Sequence, residues 1–350
     1  MDEKRALIAL SRIRGLDRLA KRQLCEMFEN VESLFKPGRG PAAAPAGIAA
    51  RFNDWKGIER DLESLEKIGA RVITIRDDDY PELLRHIPDA PVVLYQKGVL
   101  LPGPLALAVV GSRKASREGM NLARKAGEAL SSAGITTVSG LARGIDTSAH
   151  AGALTGAGKT VAVLGCGLDI CYPPENGILF EKIGREGLIL TEYGPGEPPV
   201  PRHFPERNRI IAGLSRGVLV VEASGRSGSL ITARLALDYG REVMAVPGSV
   251  FREGHAGSNR LIKEGAKLVD GIGDVLSTCF PGISLPAKQE AVSLADEEKK
   301  VYSLIGFEKV HADEVIERSD MDTREVMSVL TRLTMKNVVE EMPGGFFIRR

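Results

Sequence analysis

The sequence has no apolar run near the roughly 20 residues that a spanning helix requires, and its start, MDEKRALIAL, lacks the apolar core of a secretory signal. Neither a membrane-embedded nor an exported protein is expected, and the chain reads as cytoplasmic. Cysteine is scarce. Cys25, Cys166, Cys171 and Cys279 stand far apart, with no C-x-x-C pair and no histidine at ligand spacing. This argues against a zinc ribbon or a disulfide framework and for small buried hydrophobes in a reducing compartment. No metal and no cofactor is expected. Neither sign of charge dominates, since 47 basic and 46 acidic side chains leave a net charge of +1 over 350 residues. The composition is too polar for a membrane protein and too apolar for a disordered one, and the length suits two or three domains.

Two motifs are also missing, although fragments of each are present. The stretch Gly156-Ala157-Gly158-Lys159-Thr160 ends like a phosphate-binding P-loop, but the first glycine of G-x-x-x-x-G-K-[ST] falls on Ala153. A helical pattern also precedes the stretch and a strand follows it, the reverse of the strand–loop–helix order that presents a helix N-terminus to phosphate. Lys159 is therefore expected on a surface turn at the sheet edge opposite the ligand. The stretch GRSGS at 225–229 fails the nucleophile elbow G-x-S-x-G at Ser229, and no triad partners stand out. The chain is not expected to be an enzyme.

Charge is distributed unevenly along the chain. Residues 1–90 sum to about 0, residues 91–270 to about +5 and residues 271–350 to about −4, which places an anionic ligand on the middle segment. Residues 1–65 carry apolar positions at helical spacing in RALIALSRI, RLAKRQLCEMF and VESLF, followed by the loop KPGRGPAAAPAG and a further helical stretch. From residue 66 to 278 short β-branched runs alternate with amphipathic segments: RVITI, LALAVVG, TTVSG, TVAVLG, LILTEY, GVLVVEA and EVMAVPG. This is the pattern of an α/β domain whose doubly wound parallel sheet is covered on both faces. A linker is expected at 279–293. Residues 294–350 read as three helices and a hairpin turning at Pro343-Gly344-Gly345, a winged-helix shape. It is acidic for a duplex reader, and its second-to-last element begins with Asp322, Arg324 and Glu325.

Ligands of doubly wound sheets bind at the carboxyl ends of the strands, so the loops there carry the functional reading. The first is Gly111-Ser112-Arg113-Lys114, which supplies backbone amides, a hydroxyl and two cations ahead of a helix. The second holds Gly140, Arg143 and Gly144. HFPERNRIIAGLS, read as a third loop over 203–215, holds Phe204, Arg207, Asn208 and Arg209. The fourth, EASGRSGSLITA, holds Gly228, Ser229 and Thr232. Any one of these is ordinarily only a turn. Together they predict a groove with at least four guanidinium groups, a chain of phosphate sites beside an aromatic ring. That suits single-stranded nucleic acid better than a mononucleotide or a duplex.

The stretches VVGSRKAS, VSGLARGIDTSAHAGAL, FPERNRIIAGLSRGVLVVEASGRSGSLITARLALDYGREVMAVPGS and GSNRLIKEGAKLV resemble the DNA-processing protein DprA (Smf) family over about residues 80–275. The resemblance implies an extended Rossmann-like fold, flanked by an N-terminal helical domain of the sterile-alpha-motif or helix-hairpin-helix type and a C-terminal winged helix. It implies a non-catalytic recombination mediator that protects incoming single-stranded DNA in natural transformation, helps to load the RecA recombinase, and dimerises through the Rossmann domain. By the same motifs Ser112 and Arg113 contact phosphate. Gly140, Arg143 and Gly144 line the pocket, Phe204, Arg207, Asn208 and Arg209 hold the strand, and Gly228, Ser229 and Thr232 close the far side. One departure is that CYPPEN offers no basic residue beside its double proline.

The competing reading is a nucleoside-monophosphate phosphoribohydrolase of the lysine-decarboxylase-like group, whose fourth loop is written PGGxGTxxE. The glutamate of that motif falls on Thr232, so the carboxylate that would stabilise a sugar cation is missing. A purely structural adaptor leaves the arginines unexplained. The helix LITARLALDYG and the strand after it are expected at the end of the sheet, as the dimer face.

Overall fold

The computed structural model describes residues 2–35, 49, 52–99, 103–156, 159–285, 294–306 and 308–349. Contacts divide the chain into two compact units, 1–285 and 286–350.

The first unit is built on a nine-stranded sheet in the order β1-β2-β6-β5-β4-β3-β7-β8-β9. Its strands are β1 (Arg71–Thr74), β2 (Val93–Gly98), β3 (Ala106–Val110), β4 (Thr136–Ser139), β5 (Thr160–Val163), β6 (Leu188–Thr191), β7 (Gly217–Val220), β8 (Glu242–Ala245) and β9 (Lys267–Leu268). The seven strands from β6 to β9 run parallel, whereas β1 and β2 pair antiparallel at one edge. The sheet is therefore mixed. β2 has no counterpart among the expected strands: its apolar run Val93, Leu94, Tyr95 is followed by Gln96, which is buried although polar. β9 is too short to read, so the end of the sheet lies one strand beyond β8.

Helices cover both faces: α5 (Arg117–Ser132), α6 (Ile145–Ala153), α7 (Gly177–Glu186), α8 (His203–Gly213), α9 (Ser229–Asp238), α10 (Ala256–Lys263) and α11 (Ile272–Cys279). The alternation of β3 sorts the two layers. Leu107 and Val109 pack with Ala123 and Leu130 of α5, Ala149 of α6 and Val275 of α11. Ala106, Ala108 and Val110 share the other cluster with Ile210 of α8 and Ala233 of α9. Within the first layer α5 and α6 meet backbone to backbone, because a Cβ on Gly127 would collide with Ala149 O and one on Gly152 with Arg124 O.

The N-terminal helices α1 (Glu3–Arg12), α2 (Arg18–Met27) and α3 (Trp55–Lys67), with the short α4 (Glu82–Arg85) after β1, belong to this unit. Asp2 and Asp17 cap α1 and α2 by accepting from Arg5 N and Ala20 N. Gly15, at φ +91°, makes the turn between them. Ala6 to Leu10 are all buried, and their cluster is continuous with Leu94 of β2 and Val163 of β5. The proline-rich loop at 36–47 lies outside the described residues, as does 286–293 of the expected linker.

The second unit contains α12 (Asp296–Leu304), β10 (Val310–His311), α13 (Ala312–Ser319), α14 (Thr323–Met335), β11 (Val339–Met342) and β12 (Phe346–Arg349), with sheet order β10-β12-β11. Val301, Val315, Val329, Leu330 and Phe347 form its core. This is a winged helix. The acidic start of α14 has a local use: Asp322 accepts from Arg324 N and Glu325 accepts from Asp322 N, a capping box.

Candidate nucleic-acid interface

The strand order reverses at β3, which lies between β4 and β7. A crevice must open there above the carboxyl ends, because the connections leave to opposite faces. It is occupied by a groove of about 900 Å³.

Ten of the expected residues line it: Gly111, Ser112, Arg113, Lys114, Phe204, Arg207, Asn208, Gly228, Ser229 and Thr232. Arg113 and Lys114 are exposed at the rim. The Arg113 guanidinium lies 5.1 Å from the centroid of the Phe204 ring, a cation–π arrangement. Tyr172 is a second ring beside it, its centroid 5.5 Å away and its plane tilted by 32°. Asn208 Nδ2 donates to Gly228 O at 3.3 Å and so ties α8 to the start of α9.

Residues 203–213 form a helix, not the expected loop, and this decides which side chains reach the groove. Pro205 concealed the helix, yet it sits in the first turn, where a missing N–H costs nothing. At 3.6 residues per turn, Phe204, Arg207, Asn208 and Ile211 share one face, and all four line the groove. Arg209 lies about 200° around from Arg207. It is buried, pairs with Glu192 and donates from Nη1 to Asp89 O at 2.7 Å. Its place is a structural one on the far side of α8.

The other departures have equally local causes. The Arg143 side chain is exposed and pairs with Glu175, while its neighbour Ala142 faces the groove. Gly144 has φ +74°, and a Cβ there would collide with Ser112 O, so it serves the packing of the first loop on the second. Gly140 leaves room for the Arg207 guanidinium in the same way. Of the four arginines expected together, the structure brings together Arg113 and Arg207. The Ala157 and Gly158 positions of the false P-loop lie outside the described residues. Lys159 stands at the amino end of β5, away from the crevice.

Arg207 is itself buried, with Nη1 donating to Gly140 O at 2.8 Å and to Val163 O. Burial pushes its pKa down to about 10, with Asp146 opposing the shift, so the group stays charged at neutral pH. Asp146 is raised by burial and held by Arg207 and by the amides of Ala142 and Gly140. His150 supports the same loop from behind. Thr160 Oγ1 already donates to Thr137 O, so the 2.7 Å contact makes His150 Nδ1 the donor to Thr160 Oγ1, and Nε2 accepts from Leu141 N at 3.3 Å. Burial, with Arg207 nearby, pushes the pKa of His150 down to about 3, which keeps the ring neutral. Leu141 is thereby held at φ +56°, a conformation unusual for a branched side chain.

Tyr172, Asp146, Ser224 and Ser227 line the groove without having been expected there. Tyr172 had a signal, since CYPPEN follows the β5 strand at the carboxyl edge. The lining is less cationic than expected, with Arg113, Lys114 and Arg207 set against Asp146 and Glu253. Rings, hydroxyls and a weakly positive rim can hold a flexible anion that carries flat groups.

A family model described as DNA recombination-mediator protein A matches residues 71–280, and one described as DprA winged helix domain matches residues 285–345. DNA processing protein DprA of Streptococcus pneumoniae is 52% identical over 206 residues, which span 58% of this chain and 72% of that protein. Protein Smf of Escherichia coli is 38% identical over 310 residues, 85% of this chain and 83% of that protein. The X-ray structure of DNA processing protein A from Streptococcus pneumoniae superposes with a TM-score of 0.67 at 41% identity, covering 82% of this chain and all of that one. DNA processing protein A from Helicobacter pylori, described for its single-stranded DNA binding mode, gives a TM-score of 0.56 at 29% identity, covering 61% of this chain and 98% of that one.

Proposed function

The chain belongs to the DNA recombination-mediator protein A (DprA, Smf) family, and from that premise we propose that its groove holds single-stranded DNA, sequence-independently and without turnover. One observation carries this reading. The groove at the switch point presents a guanidinium stacked on an aromatic ring, beside a hydroxyl- and glycine-lined helix start. Phosphates take the rim at Ser112, Arg113 and Lys114 and the start of α9 at Gly228 and Ser229. A base stacks within the cluster of Phe204, Tyr172 and the Arg113 guanidinium. Arg207 acts from beneath as a buried fixed charge, Asn208 holds α8 to α9, and Thr232 closes the far side. Gly140 and Gly144 shape the wall. Arg143 joins the rim by leaving Glu175, and Arg209 supports α8.

In the cell this amounts to protection of incoming strands and delivery of them to the RecA recombinase, as in natural transformation. The protein acts as a homodimer through the Rossmann domain in the cytoplasm. The three segments 1–65, 66–278 and 294–350 then divide the work between a helical module, the DNA-binding domain and a winged helix used for regulation or protein contact. The phosphoribohydrolase reading is disfavoured by Thr232, which is buried in α9 and has no carboxylate to offer.

Fluorescence anisotropy with labelled oligo-dT and a matched duplex tests the reading. Tight binding of the single strand, weaker binding of the duplex and indifference to ATP are expected. Equal or absent binding to both, or release of adenine from AMP, would overturn it.

A further inference from the structure

A helix start exposes unpaired N–H groups and partial positive charge, and in doubly wound sheets the nucleotide phosphate sits on the helix after the first strand at the switch point. Here that helix is α5, and its start is taken by the protein itself. Glu222 lies just past β7 and is 3% exposed. Its carboxylate accepts from Ser116 N at 3.0 Å and from Ser116 Oγ at 2.6 Å. Ser116 Oγ in turn accepts from Gly119 N at 3.0 Å. The fit is tight on two sides: a Cβ on Gly119 would collide with the carboxylate, and one on Gly254 would stand 3.1 Å from it.

The other helix starts facing the groove differ in a consistent way. α6 carries Asp146 in its first turn, bonded to the amides of Gly140 and Ala142. α8 carries Glu206, which accepts from Arg18 Nη2 at 2.7 Å. α9 has no acidic residue in its first turn, and its Gly228 N-cap offers no side chain; a neutral hydroxyl, Ser227 Oγ, accepts from Ser229 N at 3.4 Å. Ser227, Gly228 and Ser229 of α9 and its approach line the groove.

We propose that Glu222 is the resident anion of the nucleotide-phosphate position at α5, a specificity-determining residue that closes the dinucleotide site of the fold and leaves the α9 start open to strand phosphate. The proposal rests on the single-strand reading of the groove. Its consequence is discrimination. A free nucleotide brings a terminal phosphate whose natural seat is filled by a buried carboxylate. A phosphodiester needs only the rim and α9. The protein can thus hold a strand in the presence of abundant free nucleotide.

The test compares wild type, Glu222→Ala, which vacates the seat, and Glu222→Gln, which fills it without charge. Melting is followed in chloride, formate and inorganic phosphate at equal ionic strength, and ADP is titrated against bound labelled oligo-dT. In chloride both variants should melt roughly 2–8 °C below wild type. Millimolar formate or phosphate should raise the Glu222→Ala protein by several degrees more than the other two. ADP should displace the strand from Glu222→Ala at a concentration at least about tenfold lower than from wild type. The proposal is overturned if Glu222→Gln melts with wild type and Glu222→Ala gains no more from formate or phosphate than wild type does. Should Glu222→Ala fold only when formate or phosphate is present, the proposal is supported in its strongest form. Failure to fold with either anion, beside a Glu222→Gln protein as stable as wild type, overturns it. Absence of strand binding by wild type would defeat the groove reading alone, because the melting comparison still judges Glu222.

Discussion

Replacing Arg113 separates the two contributions that the groove makes to binding. Its guanidinium is exposed and lies over Phe204, so it can neutralise a phosphate while its planar face covers a ring. For single strands the slope of log K against log salt is about −0.7 per phosphate neutralised. With Arg113, Lys114 and, once released from Glu175, Arg143 as the rim cations, the wild-type slope should be about −2 per groove. Arg113→Ala should bring it to about −1.4 and weaken binding about 10–100-fold at low salt, the range for a charge-assisted contact. Arg113→Lys should retain the slope and recover only part of the affinity, because a lysine cannot present a flat face to the ring. The assay is anisotropy of labelled oligo-dT from 50 to 400 mM salt. An unchanged slope in Arg113→Ala would refute the assignment of Arg113 to phosphate, whatever the loss of affinity.

Phe204→Leu should leave the salt slope intact in the same titration and cost about 5–150-fold in affinity, the range for one stacked base; a changed slope would mean that the ring acts only by placing Arg113. Arg209→Met should leave Glu192 without its buried partner and destabilise the fold by about 3–5 kcal/mol, the lower end being expected because Arg18 stands 3.5 Å away. Thermal melting would read this, and an unaltered melting temperature would count against a structural role. His150, with its folded pKa pushed down to about 3, binds a proton in the unfolded chain from about pH 6.5 downward but not in the fold. Stability from this group is therefore complete above that value and is lost as pH falls, by about 2 kcal/mol between pH 7 and 5. Urea titrations of wild type and His150→Asn at both pH values should show that increment in wild type alone.

Most of the parallel strands were legible because they are short runs rich in β-branched and apolar residues, several of them ending at a glycine, and the winged helix because its caps and hairpin are local signals. What escaped was β9, only two residues long, and β2, whose apolar run breaks at Gln96, a polar residue as buried as its neighbours. The site was legible as a set of loops and not as a set of directions. Arg207 and Arg209 look alike in the sequence. Only the helical phase of α8 sends one toward the groove and the other to Glu192. Nothing near Arg143 in the sequence points to Glu175, which lies 32 residues away. Nothing in VVEAS tells which helix start the Glu222 carboxylate will meet.

The resulting poverty of exposed cations limits what one groove can do. A slope near −2 means that raising salt from 50 to 200 mM costs about 20-fold, well short of the 10³–10⁵ lost by proteins that neutralise 6–10 phosphates. Electrostatics alone then cannot hold a strand against competition, and stacking on Phe204 with amides at α9 must supply much of the affinity. Both act on one or two nucleotides, so the remaining route to tight binding is a second groove on the same strand. In the homodimer proposed above, the second engagement is intramolecular and can add a factor of about 10²–10⁴ without any new contact, provided the strand spans both sites. Affinity should therefore rise abruptly at one oligonucleotide length, and the salt slope should double there. A smooth rise with length, at a constant slope, would mean that each groove acts alone.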